Sequence, residues 1–323
     1  MTSVINWIGA LGACVTLGAY AAPVQCIAPA KPGGGMAVTC KLIQKGLQLP
    51  AVGAKQDTPV KISYLPGGIG AVAWNSIVTQ RRAEADTLVV FSGGSLMNLA
   101  QGKYGDADVS NVRWVAAVGV DYGMIAVRAD SPYKTLHELL DALKKNPGKI
   151  TIGAAGTVGS QDWLKISMLA KQDQIDPKTL RFVALEGGGE AFTALHAGHV
   201  QVVSGDASEA TLHSLDGEIR VLVVLSDKRL PGALAHVPTA REQGLPVSWP
   251  IIRGVYVGPQ VSDADYNRWV GTFDKMMATP EFDRLRASNG LYPFAMSGDK
   301  LTAYIRKTVD DYHQQSIQLG LIR

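Results

Sequence analysis

Glycine, serine and threonine recur in this chain where backbone amides and hydroxyls could gather around an anion. The first stretch, residues 29–40, reads Pro-Ala-Lys-Pro-Gly-Gly-Gly-Met-Ala-Val-Thr-Cys and lies between a short apolar run and a helical pattern. Glycine has no Cβ, so such a turn can take positive φ and let a ligand approach the backbone. The helix behind it offers unpaired N–H groups and the positive end of its dipole. A carboxylate or a phosphate suits that position, although the stretch alone could equally be a plain strand-to-helix turn. The arrangement returns at residues 66–70 (Pro-Gly-Gly-Ile-Gly), 92–95 (Ser-Gly-Gly-Ser), 154–160 (Ala-Ala-Gly-Thr-Val-Gly-Ser), 186–190 (Glu-Gly-Gly-Gly-Glu) and 204–208 (Ser-Gly-Asp-Ala-Ser). That recurrence favours anion binding.

Other chemistries find less support. No nucleophile, base and orienting group stand together, and none of His137, His196, His199, His213, His236 and His313 falls inside a glycine loop. His196 and His199 are spaced for a metal, but no third ligand accompanies them, and a pair at a helix end reads better as surface. Asp162 and Asp206 could be drawn as an acid and a base; their settings fit a first-turn helix carboxylate and a hydrogen-bonding group at a cleft edge. Neither the Gly-x-Gly-x-x-Gly spacing nor a Gly-Lys-Ser/Thr phosphate loop is present, so a cytosolic nucleotide-binding enzyme is the weakest alternative. No cofactor, metal or catalytic residue is expected. A net charge of +3, with 18% charged residues and 7% aromatics, gives no basic stripe for nucleic acid and points to a small-molecule ligand.

These loops need strands to end in and helices to open. Residues 24–28, 60–65 and 87–91 read as short buried strands, followed by helical spacing at Leu42, Ile43 and Leu47, at residues 71–78 and at residues 96–101. Residues 114–127 are strand-like, and a helix opens at Thr135 with Leu136, Leu139, Leu140 and Leu143 on one face. A second series follows, with strands at 149–153, 181–185, 200–203 and 219–225 and helices at 161–170 and 191–197. Residues 249–258 read as extended, and 263–277, 280–288 and 298–319 as helices that cover a sheet. Strands alternating with helices through short loops imply an α/β fold with parallel sheets, whose ligands gather beyond the carboxyl ends of the strands. A chain of 323 residues with 46% hydrophobic residues can bury a large core, and two domains are expected.

Residues 4–22 are apolar apart from Asn6 and Thr16 and contain Ala19-Tyr20-Ala21. This fits a signal peptide, residues 1–21, cleaved after Ala21 to release a periplasmic chain. No Lys or Arg precedes the apolar run, which leaves open a misassigned start or an uncleaved membrane anchor. Leu11-Gly12-Ala13-Cys14 resembles a lipoprotein processing box, and a lipid anchor at Cys14 ranks behind cleavage after Ala21. Two further cysteines, Cys26 and Cys40, suggest a disulfide tying the first strand to the helix after the first glycine loop, with two buried thiols as the alternative.

Several motifs in shared order resemble the extracytoplasmic solute-binding proteins of tripartite tricarboxylate transporters, the Bordetella-type uptake proteins, and their tricarboxylate-binding branch in particular. They are Cys-Ile-Ala-Pro-Ala-Lys-Pro-Gly-Gly-Gly (26–35), Ser-Gly-Gly-Ser-Leu-Met-Asn-Leu-Ala-Gln-Gly (92–102), Gly-Ser-Gln-Asp-Trp (159–163), Glu-Gly-Gly-Gly-Glu-Ala (186–191), Ser-Gly-Asp-Ala-Ser-Glu (204–209), Leu-Ser-Asp-Lys-Arg-Leu-Pro (225–231) and Val-Pro-Thr-Ala-Arg-Glu-Gln-Gly (237–244). The resemblance implies a two-domain periplasmic-binding-protein clam-shell of type II-like form, each domain a mostly parallel sheet flanked by helices. It places residues 22–124 and 254–323 in one domain and 125–253 in the other, with crossings near Ile125 and Gly254. It implies a monomer that captures a small di- or tricarboxylate between the domains and delivers it to membrane permease subunits. Presentation of the ligand to a sensor kinase is an alternative. Carried over by motif, the ligand-binding positions are Gly34, Gly35, Gly68, Ser92, Ser95, Gly156, Thr157, Ser160, Gly188 and Asp206, with the first loop and the loop 156–160 facing each other across the cleft. Met36-Ala37 stand where the family's first loop usually carries a large residue and an aspartate, so the resemblance does not specify which carboxylate is bound.

Overall fold

The computed structural model describes residues 23–52, 59–214 and 217–322. The expected signal peptide and Cys14 lie outside the described residues. In chain order the elements are β1 (Val24–Ala28), α1 (Gly35–Leu47), β2 (Val60–Tyr64), α2 (Ala71–Thr79), β3 (Thr87–Ser92), α3 (Gly93–Ala100) and β4 (Arg113–Arg128). Then come α4 (Leu136–Lys145), β5 (Thr151–Ala155), α5 (Gln161–Gln172), β6 (Arg181–Leu185), α6 (Gly188–His196), β7 (Val202–Asp206), α7 (Ala207–His213) and β8 (Ile219–Leu225). The chain closes with β9 (Pro250–Val257), α8 (Asp263–Met277), α9 (Pro280–Ser288), β10 (Met296–Ser297) and α10 (Gly298–Gln318).

Two parallel triplets, β2-β1-β3 and β7-β5-β6, are joined by antiparallel strands into one path β2-β1-β3-β9-β4-β7-β5-β6. The long strand β4 makes the join. Its Arg113–Tyr122 portion pairs with β9, whereas from Gly123 onward it pairs with β7 and β8. The sheets are therefore mixed: the parallel triplets are as expected, and β4 and β9 contribute the antiparallel pairs. A βαβ unit can bring back only a parallel strand, so a chain passing twice between two sheets adds strands of opposite sense at the passage.

Helices cover both faces of each half. In the first half, α1, α8 and α9 pack Leu42, Ile43, Phe273, Met276 and Phe282 on Val90, Val115 and Val255, while α2, α3 and α10 cover the other face with Trp74, Leu96, Leu301 and Ile305. In the second half, the expected apolar face of α4 (Leu136, Leu139, Leu140, Leu143) packs with Ile166 and Leu169 of α5 on Ile125, Ile152 and Val202, and α6 closes the opposite face through Phe192 and Leu195. Burying both faces of the central strands accounts for their continuous rather than alternating apolar runs. The Cys26–Cys40 disulfide is present, with Cα atoms 5.8 Å apart, and fastens β1 to α1 behind the first glycine loop. No described helix is long and apolar enough to cross a membrane.

Candidate functional site

The carboxyl ends of β1, β3, β5, β6 and β7 each run into a helix, and their junctions meet around one cavity of about 70 Å³. That is room for roughly five water molecules, hence for a compact ligand. Its lining includes Gly34, Gly35, Met36, Ile69, Ser92, Gly94, Ser95, Asn98, Ser160, Gln161, Asp162, Glu186, Gly188, Asp206, Glu209 and Arg253.

Serine caps two of the five helices. Ser92 Oγ accepts the Gly94 N–H at 3.2 Å, and Ser95 Oγ accepts the Ser92 N–H at 3.2 Å, closing a capping box at the start of α3. Ser160 Oγ accepts the Trp163 N–H at 3.2 Å at the start of α5. In each case the hydroxyl oxygen serves the helix; the O–H groups of Ser92 and Ser160 are left to donate, whereas that of Ser95 meets the buried Tyr104 hydroxyl. Glycine caps α1 (Gly34) and α6 (Gly187), so neither helix start has a cap side chain of its own. These two helix starts approach closely: a Cβ at Gly34 would stand 3.3 Å from the Gly189 nitrogen, and one at Gly189 would overlap the backbone of Pro32 and Gly33. Only glycine permits that approach.

Seven of the ten positions carried over by motif line the cavity: Gly34, Gly35, Ser92, Ser95, Ser160, Gly188 and Asp206. The other three stand back from it. Gly68 is exposed in the turn before α2, next to Ile69, which does reach the lining. Gly156 is tied by its N–H to the Leu185 carbonyl at 2.8 Å, and Thr157 is exposed. The loop facing the first glycine loop is thus 187–189, whereas loop 156–160 meets Ile69, Gln101 and Leu321. Position 37, where the resemblance leads one to expect aspartate, is an alanine buried inside α1.

Beneath the glycine loops lies a charged floor that local sequence did not reveal. Asp121, Asp162, Lys165, Asp206, Glu209 and Arg253 are all buried. Lys165 Nζ binds Asp162 Oδ1 at 2.6 Å, the Gly205 carbonyl at 2.9 Å and the Asp206 carboxylate. Arg253 Nη2 binds Asp121 Oδ2 at 2.8 Å and also Asp206. Asp121 further accepts the Ser208 N–H at 3.1 Å and its hydroxyl at 2.6 Å. Asp206 sits between both cations, and although burial pushes its pKa up, Lys165 and Arg253 outweigh burial and hold it below the usual range. Asp162 goes the other way: burial, aided by Asp206 and opposed by Lys165, pushes it up to about 6. Asp121 is likewise raised by burial against the pull of Arg253.

Glu209 stands where this floor meets the glycine loops. Its Oε1 accepts the Gly35 N–H at 2.7 Å and its Oε2 the Asp206 N–H at 3.2 Å. Burial first, then Asp206 and Asp162, raise its pKa to about 8. Gln161 adds a buried Oε1 without a protein partner among the described residues. Sequence reasoning passed over Glu209 because residues 204–208 read as a loop; they complete β7 and open α7, a helix too short to show an apolar period. Arg253 lay inside an extended run with nothing local to mark it.

His196 Nδ1 lies 2.9 Å from Glu218, and no group of three or more ligating side chains stands together among the described residues.

Residues 104–320 match the profile of the tripartite tricarboxylate transporter family receptor. The chain belongs to that family. A UPF0065 protein of Cupriavidus necator is 27% identical over 206 residues, 64% of this chain and 61% of the relative, so the match spans about three fifths of that relative's length. Among solved structures, the periplasmic binding protein BugD superposes with a TM-score of 0.80 at 18% identity, covering 92% of this chain and 97% of BugD. MatC from Rhodopseudomonas palustris, with bound malate, gives 0.75 at 18% identity over 90% and 98% of the two chains. A second R. palustris protein, solved with adipate, gives 0.79 at 16% identity over 92% and 97%. The fold of this family receptor is the α/β fold of the periplasmic binding proteins.

Proposed function

We propose that the protein captures a small di- or tricarboxylate in this cavity, leaves it chemically unchanged, and delivers it to the permease subunits of a tripartite tricarboxylate transporter. The observation that carries the reading is the convergence of helix N-termini and serine hydroxyls on one cavity, where Ser92 and Ser160 keep an O–H to donate. Helix starts and hydroxyls of this kind stabilise carboxylate oxygens without a buried counter-ion. Malate in MatC and adipate in the second R. palustris protein support the ligand class. The ligand contacts in this reading are Gly34, Gly35, Ser92, Ser95, Ser160, Gly188 and Asp206, while Gly68, Gly156 and Thr157 shape the loops behind them.

The same proposal takes the chain as a periplasmic monomer, exported and cleaved after Ala21. Its two domains, 22–124 with 254–323 and 125–253, have crossings close to Ile125 and Gly254. The change of partners along β4 at Gly123 and the start of β9 at Pro250 support crossings in those regions. A thermal-shift screen of ligand-stripped protein against malate, succinate, tricarballylate, citrate, glutamate and terephthalate tests the function. A ligand at about 100 times its Kd stabilises the folded state by about 2.7 kcal/mol, a readily measured rise in Tm. If no carboxylate raises Tm or releases heat in calorimetry while the protein remains folded, the reading is wrong.

A further inference from the structure

We propose that Glu209 is a specificity-determining residue of this cavity: it occupies the amide site at the start of α1 as an acid, and a ligand carboxylate is accepted at that end only as a hydrogen-bonded pair with it, through Glu209's own proton. The inference rests on the carboxylate-capture reading and adds a proton requirement to it.

The geometry is that of a tethered carboxyl group lodged where a ligand carboxylate would go. Glu209 is 4% exposed, and both of its oxygens accept backbone N–H groups, from Gly35 and Asp206. A Cβ at Gly188 would overlap both oxygens, and one at Gly34 would stand 3.2 Å from Oε1, so the carboxyl is wedged between the starts of α1 and α6. These are the two helix starts that have no cap side chain of their own.

The charges around it arrive from every neighbouring element. The cap of its own helix is Asp206, the last residue of β7, and one turn on the helix brings His213, whose Nε2 lies 3.2 Å from the Gly33 carbonyl. Helix α5 brings Asp162 and Lys165, β9 brings Arg253, and β4 brings Asp121 behind Arg253. The loop before α6 brings Glu186, and α6 brings Glu190, paired with Lys31 at 3.0 Å on the rim. The first turn of α1 contributes no acid.

On the floor, Asp121, Asp162, Asp206 and Glu209 surround only Lys165 and Arg253. Of these four acids, Glu209 is the one that forms no ion pair with either cation. Buried carboxyls in excess of their counter-ions hold protons, and the acid without a cation is the first to do so. The rise of its pKa to about 8, from burial and then from Asp206 and Asp162, agrees with that assignment.

A protonated Glu209 has an O–H to give once its oxygens have accepted their N–H groups. A ligand carboxylate beside it forms an acid–carboxylate pair sharing one proton. An ionised Glu209 would instead set two negative carboxylates against each other, as happens wherever two such groups share a site. Dicarboxylate affinity therefore falls as pH rises through the Glu209 pKa, by up to about tenfold per pH unit above it. Complexes formed above that pH take up a proton.

The experiment is calorimetry with malate and succinate on wild-type protein and on Glu209→Gln, between about pH 6 and pH 9.5. It is repeated in two buffers of different ionisation enthalpy to count protons. Wild type is expected to lose about tenfold in affinity between pH 8.5 and 9.5 and to take up close to one proton per ligand there. Glu209→Gln, whatever its affinity, should show a flat profile and no uptake above about pH 7.5, clear of the Asp162 titration near 6. The proton count on wild type decides the matter even if the variant does not fold. A flat wild-type profile, binding that strengthens with pH, or an unchanged slope in Glu209→Gln overturns the proposal while leaving carboxylate capture intact. If neither folded protein binds any carboxylate at any pH, both readings fall together.

Discussion

Lys165→Met is the substitution that most directly tests the charged floor. Lys165 is fully buried, and its ammonium is the cation bound to Asp162, at 2.6 Å, while it shares Asp206 with Arg253. Burial alone would lower its pKa, but Asp162 and Asp206 outweigh burial and hold it raised, so the charged form is the one built into the fold. Methionine fills most of the space of the lysine stem, which leaves loss of the charge as the main change. Removing one partner of a buried ion pair costs about 3–5 kcal/mol because the other is left buried and unpaired. The loss should depend on pH. Asp162 already titrates near 6, raised by burial, and without Lys165 its folded-state pKa rises further. A carboxyl whose pKa is raised in the folded state stabilises that state while it stays protonated, and this contribution is lost as pH rises through the folded value. The deficit of Lys165→Met relative to wild type should therefore be near its full size at pH 8 and smaller, by about 1–2 kcal/mol, at pH 5.5. Urea unfolding followed by circular dichroism at both pH values measures it. Adding Asp162→Asn should recover part of the loss at pH 8, since Arg253 still serves Asp206. A loss under about 1 kcal/mol at pH 8, or an equal loss at both pH values, would show that the cluster is not held by this pairing.

Other substitutions probe the remaining parts. Replacing Cys26 and Cys40 with serine opens a 14-residue loop and should cost about 3 kcal/mol in urea, a cost that reductant reproduces in wild type and does not add to in the variant. Gly35→Ala would drive a Cβ into the Arg253 guanidinium, which is held by Asp121 and Asp206, so overpacking of about 1–3 kcal/mol in a melt and loss of ligand binding are expected. Ser92→Ala removes both a cap and a donor, and should lower stability by about 1 kcal/mol and weaken carboxylate binding by about 0.5–1.5 kcal/mol in calorimetry. An unchanged affinity in Ser92→Ala would place the ligand away from α3.

The elements themselves were legible in the sequence wherever they rest on local periodicity. The apolar runs of β1, β6 and β8, the leucine face of α4 and the three closing helices stand within a residue or two of their expected bounds, because period and turn chemistry act over a few residues. The glycine and serine loops also carried their message, since a helix start open to an anion is built from adjacent residues. The family followed from the order of those loops along the chain. What local sequence could not supply is the floor beneath them and the choice of which loops face each other. Glu209 reaches Gly35 across 174 positions, Arg253 reaches Asp121 across 132, and Lys165 reaches Asp206 across 41. Residues 204–206 looked like a turn because serine, glycine and aspartate favour one, yet hydrogen bonding to Ile125, Met124 and Gly123 of β4 extends the strand through them and starts α7 beyond. A buried carboxyl and the amide or cation that satisfies it are brought together only when the sheet closes, so their pairing is a property of the topology. Local sequence determines where a helix begins, and the tertiary structure decides which acid stands in front of it.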